Sequence, residues 1–236
     1  MRVLIIGNSV ALRVRPTIDR PNNLTYTHHL YNYLNQSEHI KNAKVINLAT
    51  GGDTINDIYE KFDHYIRSYP DIIIINLGVV DASTREIPRW FFNIINNKRD
   101  SLFRRMLKDF YNGLIKKIRR PLVFLRLKKT WICKKRFKRL FRKLILDLKK
   151  ETNADVIVLP INPGNFRIER QIPGSLKNYI EYSRIMQDIS EENNAHFLIP
   201  QGLEGKTDFP DGIHFSSTGH KKIANQLFNK IKEIAY

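Results

Sequence analysis

The chain has 236 residues, of which 42% are hydrophobic and 27% charged, with 11 glycines and 10 prolines, a composition that excludes collagen-like, low-complexity and disordered proteins. Its 40 Lys and Arg residues against 23 Asp and Glu residues give a net charge of +17, which favours an anionic partner. The single cysteine, Cys133, excludes an intrachain disulfide and lacks the neighbours of a metal site, which favours a reducing compartment.

The first apolar run, Val3–Ile6, is too short for the hydrophobic part of a signal peptide, and its pattern indicates a strand. No stretch of the sequence approaches the roughly 20 apolar residues of a membrane-spanning helix. We therefore expect a cytoplasmic protein whose membrane contact would be peripheral, at the inner face.

Short apolar runs rich in β-branched residues alternate with helical patterns. The runs lack polar alternation, which is typical of strands buried on both faces. They are Val3–Ile6, Val45–Leu48, Ile72–Leu77, Val156–Leu159 and Phe197–Ile199. Amphipathic helices are predicted at Leu24–Leu34, Ile55–Ile66, Ile180–Ile189 and from about Thr218 onward. The alternation predicts one α/β domain over residues 1–236, with a mainly parallel five-stranded sheet covered by helices on both faces.

Ligands of such sheets bind beyond the carboxyl ends of the strands. Ser9 follows the first strand through a Gly-Asn turn, which is a suitable position for a nucleophile. A serine hydroxyl needs a base to take its proton, and the base needs a partner that fixes its tautomer. His214 and Asp211, in a glycine-containing loop near the other end of the chain, are predicted to be that base and its partner.

Four short blocks, in this order along the chain, resemble those of the SGNH, or GDSL-type, hydrolases. The blocks are Gly7-Asn8-Ser9, Gly52 within Ala49–Thr54, Gly78–Asp81, and Asp211–His214 followed by Gly219-His220. Each block is weak alone, but four in order beside predicted strand or helix ends are specific. The resemblance implies a flavodoxin-like three-layer α/β/α fold and the hydrolysis or transfer of acyl esters. It also implies Ser9 as nucleophile, His214 as base, Asp211 as its orienting acid, and an oxyanion hole from the N–H groups of Ser9 and Gly52.

The sequence departs from the family pattern at two positions. Asn8 stands where the family has aspartate, and asparagine has the same turn chemistry. Val80 stands where the family has an asparagine that donates to the oxyanion, and losing one such donor costs about 10²–10³ in kcat. Three alternatives follow: two backbone donors suffice, Asn162 or Asn76 supplies the third, or turnover is slow.

Other polar residues near these blocks are interpreted as structural. We expect Asp81 to accept hydrogen bonds from loop N–H groups, and Ser216 or Ser217 to cap the last helix. The remaining histidines lack ligand spacing with carboxylates or cysteine, so neither a metal nor a cofactor is predicted.

The charge excess lies in an insertion predicted at about residues 86–150, between the third and fourth strands. Residues 98–150 hold 21 basic and 3 acidic residues, a net of +18, against 19 basic and 20 acidic residues, a net of −1, elsewhere. The apolar stripe of Phe137–Leu148 either packs on the sheet or faces a partner. Earlier in the insertion, large apolar side chains interleave with Lys and Arg, which is typical of a segment in the headgroup layer of an anionic membrane.

Nucleic acid and anionic glycans are rival partners for this charge, although no nucleic-acid-binding motif accompanies it. The sequence therefore predicts a serine esterase or acyltransferase that removes or moves a small acyl group, such as acetyl, on a carbohydrate or lipid-linked glycan. The alternative, favoured by Val80, is a related protein that has lost turnover and binds an anionic membrane or another polyanion. The oligomeric state stays open.

Overall fold

Five parallel strands form the centre of the molecule, of which the computed structural model describes residues 1–16, 24–40, 42–96 and 101–235. The strands are β1 (Arg2–Gly7), β2 (Lys44–Asn47), β3 (Ile72–Asn76), β4 (Asp155–Val158) and β5 (His196–Phe197). Their order is β2-β1-β3-β4-β5, and each neighbouring pair is parallel. The five predicted strands are confirmed, although β5 begins one residue earlier and is shorter than its apolar run indicates.

Helices cover both faces of this sheet. They are α1 (Tyr26–Gln36), α2 (Ile55–Glu60), α3 (Phe62–Ile66), α4 (Val79–Ala82), α5 (Arg89–Asn96), α6 (Leu102–Phe110), α7 (Arg119–Leu125), α8 (Lys134–Glu151), α9 (Phe166–Gln171), α10 (Ser175–Glu192) and α11 (Ser217–Ala235). The connections from β1 to β2 and from β2 to β3 run in opposite directions across the sheet, so right-handed crossovers place α1 and α2 on opposite faces. In agreement, α1 packs on α11, whereas α2 and α10 pack on α8. The predicted flavodoxin-like α/β/α fold is confirmed.

The apolar stripe of α8 belongs to the core. Phe137, Phe141, Leu144, Ile145 and Leu148 are fully buried, and the first two rings stack on each other with centroids 5.8 Å apart. The basic residues of this helix face outward, because a single stripe of an amphipathic helix suffices to cover a sheet. Of the two alternatives for this helix, the structure shows packing on the sheet.

Part of the remaining insertion forms a small apolar cluster of its own, whereas Val123 and Ile132 belong to the main core. Ile87, Ile95 and Tyr111 are the buried centre of the small cluster. An antiparallel bridge between Thr84 and Thr130 closes the segment at its base, so the chain leaves and returns at the same place. The chain between α6 and α7 includes a π-helical turn at Tyr111–Ile115.

Among the residues described, no helix combines the length and the apolar character needed to cross a bilayer.

Candidate active site

The chain leaves β1 through a tight turn that presents Ser9 at the carboxyl edge of the sheet. Gly7 has no room for a side chain, because a Cβ there would lie 2.2 Å from the carbonyl oxygen of Asn76. Buried Asn8 donates its N–H to that carbonyl at 3.2 Å, and its Oδ1 accepts from the N–H of Val10 at 3.3 Å. The asparagine therefore keeps the turn, as predicted, and caps the 3₁₀ turn that begins at Ser9.

The loop before α11 places an imidazole ring against the Ser9 hydroxyl. His214 Nε2 lies 2.9 Å from Ser9 Oγ, and His214 Nδ1 lies 2.7 Å from Asp211 Oδ2. The other carboxylate oxygen of Asp211 accepts from the N–H groups of Ile213 and His214, at 2.9 and 2.8 Å, which fixes the carboxylate within its own loop. The structure thus brings together the three predicted residues, although Ser9 and His214 are 205 positions apart in the chain.

The environment of Asp211 keeps its carboxyl group charged. Burial by itself raises the pKa of this group, but hydrogen bonds from the ring and backbone of His214 outweigh burial and hold the pKa of Asp211 well below its usual range. Arg15 adds a cation, with its Nε 3.2 Å from Asp211 Oδ2. A charged Asp211 accepts a hydrogen bond from the Nδ1–H group of His214, which leaves Nε2 as the free base that faces Ser9.

The start of α11 has the predicted cap. Ser216 Oγ accepts from the N–H of Gly219 at 3.1 Å, and the helix begins at Ser217, so Ser216 is the capping residue of the two alternatives. This cap lies two residues after His214 and fixes the point at which the loop enters the helix.

The predicted oxyanion loop is a tight turn joined to α4. The N–H of Asp53 donates to the carbonyl of Thr50 at 3.4 Å, and Gly52 between them has a φ of +86°, which glycine adopts without steric cost. Asp81 on α4 accepts from the N–H of Ile55, the first residue of α2, at 2.9 Å. The structural role predicted for Asp81 is confirmed. Burial raises the pKa of Asp81 to about 7.

Two residues that line the cavity at Ser9 have unused backbone donors. In the described part of the chain, the N–H groups of Ser9 and Gly52 have no acceptor. Val80 lines the same cavity and adds an apolar side chain to it. Asn162 donates its amide to the carbonyl of Ile213 at 2.7 Å, and neither Asn162 nor Asn76 lines the cavity.

Ser9 and His214 line a cavity of about 330 Å³, which we call the ester cavity. Three distant parts of the chain form its walls: the predicted blocks, the insertion, and the end of α9. Its lining beyond the predicted residues comprises Arg13, Gly51, Val79, Ser83, Arg85, Glu86, Phe92, Arg119, Trp131, Ile168, Gln171, Ile172 and Ile213. Gly51, Val79 and Ile213 lie within the sequence blocks, whereas the blocks did not identify the other ten residues. The sequence feature that could have identified Arg85 and Glu86 as lining residues is their position a few residues after the Gly78–Asp81 block.

Charged side chains tie the insertion to the ester cavity. Arg85 donates from Nη2 to the carbonyl of Val80 at 3.0 Å, and its guanidinium lies 4.1 Å from the ring centre of Trp131. Glu86 accepts from the Tyr111 hydroxyl at 2.6 Å and from Arg119 at 3.0 Å. Burial opposes the charge on Glu86, but Arg119 and Tyr111 outweigh it and lower the pKa of that carboxyl group. The insertion is therefore held in place by buried polar contacts.

A serine hydroxyl, an imidazole and a carboxylate joined by hydrogen bonds above a parallel sheet define a class of protein, the serine hydrolases. The chain matches the GDSL-like lipase/acylhydrolase family over residues 3–227, and it belongs to that family. The predicted resemblance to SGNH hydrolases is confirmed, and so is the prediction of a serine ester hydrolase.

Solved structures share the fold over almost the whole chain. Axe2, an acetylxylan esterase from Geobacillus stearothermophilus, is 18% identical, with a TM-score of 0.62 over 98% of this chain and 93% of that one. A lipase/acylhydrolase from Enterococcus faecalis is 17% identical, with a TM-score of 0.64 over 99% of this chain and 96% of that one. No curated protein sequence matches the chain.

Proposed function

We propose that this protein removes a small acyl group, such as acetyl, from a carbohydrate through an acyl-serine intermediate. The observation that carries the proposal is the hydrogen-bonded chain from Ser9 Oγ through His214 to Asp211. In the first step, His214 Nε2 takes the hydroxyl proton while Ser9 Oγ attacks the ester carbonyl carbon. The charged Asp211 stabilises the imidazolium that forms, and the imidazolium then protonates the departing sugar oxygen.

The second step reverses these roles with a new nucleophile. Water gives a proton to His214 as it attacks the acyl-serine carbonyl, and the collapse of that tetrahedral intermediate releases the carboxylic acid and restores Ser9. A sugar hydroxyl in place of water would give transfer. In the presence of a sugar acceptor, acetate release equal to the loss of the donor ester is the result expected for hydrolysis, and acetate release below the loss of the donor ester identifies transfer to the acceptor.

The N–H groups of Ser9 and Gly52 are the proposed oxyanion hole. Both N–H groups are free of other acceptors in the described structure, and both residues line the ester cavity with the Ser9 hydroxyl. Two backbone N–H groups also form the complete oxyanion hole of chymotrypsin-like proteases, so the absence of a side-chain donor at Val80 is compatible with turnover. Among the three alternatives, we favour the hole with two donors.

The comparisons support the residues and the substrate class. Variants of the Geobacillus acetylxylan esterase described as catalytic mutants replace a serine, an aspartate and a histidine, the last two being three positions apart, as Asp211 and His214 are here. That enzyme is named for an acetylated carbohydrate. The ester cavity of about 330 Å³ has room for a small acyl group and part of a sugar ring.

Hydrolysis of p-nitrophenyl acetate by the wild type, Ser9→Ala and a surface control, Ser37→Ala, tests the proposal. We expect activity in the wild type and the control, and a loss of at least about 10³-fold in Ser9→Ala. A serine-reactive phosphonate should add one adduct mass to the wild type and none to Ser9→Ala. Equal rates in all three proteins would refute catalysis by Ser9.

A second role, attachment to an anionic membrane, is favoured by an exposed apolar face on the insertion. The face consists of Leu102, Phe103, Met106, Phe110, Leu114 and Ile118, which recur at helical spacing and are between 41% and 76% exposed. Large apolar side chains at this exposure are typical of a binding surface. Lys108, Lys116 and Lys117 flank the face, so it matches an anionic headgroup layer in both polarity and charge.

We place this contact at the cytoplasmic face of a membrane, because the single cysteine is free. Co-sedimentation with phosphatidylcholine vesicles, with and without phosphatidylglycerol, tests it. Phe103→Ser with Met106→Ser should lower binding to the anionic vesicles at least about tenfold, since two large apolar side chains no longer enter the bilayer. The matched control, Ile180→Ser with Ile199→Ser, removes apolar side chains exposed elsewhere. Indifference to phosphatidylglycerol, or an equal loss in the control, would contradict the proposal.

A further inference from the structure

A large groove lined by cations lies next to the ester cavity. It has a volume of about 690 Å³ and lies between the segment that leads into α7 and the helix α9. Its complete lining is Lys116, Lys117, Arg119, Arg120, Phe166, Arg167, Arg170 and Gln171. Six of these eight residues are basic and none is acidic. We call this feature the basic groove.

Nearby carboxylates do not neutralise these cations as a group. Among the described residues, Arg119 is the one groove cation paired with an acid, Glu86, at 3.0 Å. Glu169, on the same helix as Arg170, accepts through both oxygens from the N–H groups of Gly174 and Leu176, at 2.6 and 3.3 Å.

In the described part of the chain, five cations of the groove have no counter-ion. Within residues 1–16, 24–40, 42–96 and 101–235, the other five cations form no ion pair with a carboxylate: Lys116, Lys117, Arg120, Arg167 and Arg170. Like charges held this close repel one another, so bound anions would stabilise the arrangement.

The basic groove adjoins the ester cavity. Arg119 and Gln171 line both of them. Helix α9 contributes to both walls, with Ile168 lining the cavity and Arg170 lining the groove. A molecule that extends from one to the other would therefore present an ester to Ser9 and its neighbouring groups to the cations.

We propose that the basic groove binds negatively charged groups, phosphate or carboxylate, of the glycan whose acyl ester enters the ester cavity. This inference rests on the proposed esterase function and narrows its substrate class to acylated anionic polymers or oligosaccharides. A neutral acetylated glycan gains nothing from six cations, whereas repeated anionic groups along a chain gain a contact with each cation that they reach. Arginine, which supplies four of the six, binds phosphate and carboxylate through two parallel hydrogen bonds.

The test compares a groove variant, Lys117→Gln with Arg170→Gln, with a control of equal charge, Lys138→Gln with Arg139→Gln on the exposed side of α8. The substrates are acetylated polygalacturonate, which is anionic, and acetylated xylan, which is neutral. For the groove variant at low salt, we expect KM for the anionic substrate to rise about tenfold, with kcat within about twofold. Its kinetics on acetylated xylan, and both activities of the control, should match the wild type. Equal changes on both polymers, or no change on either, would overturn the proposal.

A binding measurement separates failure of this inference from failure of the esterase proposal. Calorimetric titration of the Ser9→Ala protein with tripolyphosphate and with trigalacturonate requires no turnover, and it distinguishes phosphate from carboxylate ligands. We expect binding of at least one of them, weakened about tenfold by the groove substitutions and by added salt. If the groove substitutions instead abolish binding to phosphatidylglycerol vesicles and leave both oligoanions unaffected, the groove belongs to the membrane contact, and the inference is wrong.

Discussion

At the scale of single residues, Asp211 influences the reaction through His214, with which it shares a 2.7 Å hydrogen bond. The same carboxylate accepts two backbone N–H groups and lies beside Arg15, so its charge is balanced before any substrate binds. This arrangement fixes the tautomer of the base without a covalent or metal ligand.

Replacing Asp211 by asparagine should leave the loop intact and disable the base. The amide keeps one oxygen for the backbone N–H groups, but it does not hold the His214 tautomer that leaves Nε2 free. We expect kcat on p-nitrophenyl acetate to fall by about 10⁴, as for similar changes in other serine hydrolases. The exposed Asp63→Asn is the control, and circular dichroism checks the fold. A kcat within tenfold of the wild type would show that Asp211 does not orient the base.

A substitution at Val80 is expected to raise kcat, whereas the substitution at Asp211 is expected to lower it. Introducing asparagine there places an amide donor in the wall of the ester cavity, next to the proposed oxyanion hole. If that hole has two donors, Val80→Asn should raise kcat by about 10-fold or more, since one donor is worth up to 10²–10³. Val79→Asn, on the adjacent lining residue, is the matched control and should show no gain. A lower kcat in both variants would argue against this placement of the oxyanion.

At the scale of elements, the position of the oxyanion loop that contains Gly52 depends on the contact between α2 and α4. Asp81 on α4 accepts from the first N–H of α2, and Thr54 and Asp57 form a reciprocal capping box at that same helix end. Three hydrogen-bonded acceptors therefore hold the segment that follows Gly52, although the loop itself lies at the surface.

The raised pKa of Asp81 makes this junction sensitive to pH. The folded protein binds the proton more tightly than the unfolded chain, because the pKa is about 7 in the fold against an ordinary value of 3.8. The stability from this group is therefore complete below about pH 4 and is lost as the pH rises to 7, by up to about 4 kcal/mol. In urea titrations, the free energy of unfolding of the wild type relative to Asp81→Asn should fall across this range. Parallel curves would contradict the assignment.

Elements that are buried on both faces can be predicted from the sequence, whereas contacts between surface elements cannot. The run Ile72–Ile75 has to be a buried strand, because four adjacent isoleucines alternate between the two faces of a sheet. The stripe on α8 allowed two interpretations, since its spacing is the same whether it meets the sheet or a partner. The sequence did not indicate that Trp131 and Arg119 line the ester cavity, because their positions depend on how the insertion folds against the rest of the chain.

At the scale of the whole molecule, the predicted site was accessible to sequence reasoning for a topological reason. Parallel strands bring their carboxyl ends to one edge, so Ser9 after β1 and the loop before α11 have few other places to meet. The anionic contact was predicted only as a property of residues 98–150. Tertiary packing determines how the residues of this segment are distributed among the exposed apolar face, the solvated side of α8 and the basic groove. Helix α9 supplies two of the groove's cations from outside residues 98–150.

The hydrogen bond between Ser9 and His214 gives a prediction for unfolding, because it joins two segments that are far apart in the sequence. This hydrogen bond joins the turn after β1 to the loop before α11, a helix that packs against α1. Loss of esterase activity in urea should therefore coincide with loss of the helical circular dichroism signal, as in a two-state transition. Activity that persists after most of the helical signal is lost would show that the two segments meet without the rest of the fold.

The separation of 205 positions between these two side chains also has a meaning for biosynthesis. A nascent chain carries Ser9 well before it acquires Asp211 and His214. A chain that terminates before this loop has no base for Ser9, so ester hydrolysis requires that both segments have been synthesised and have docked.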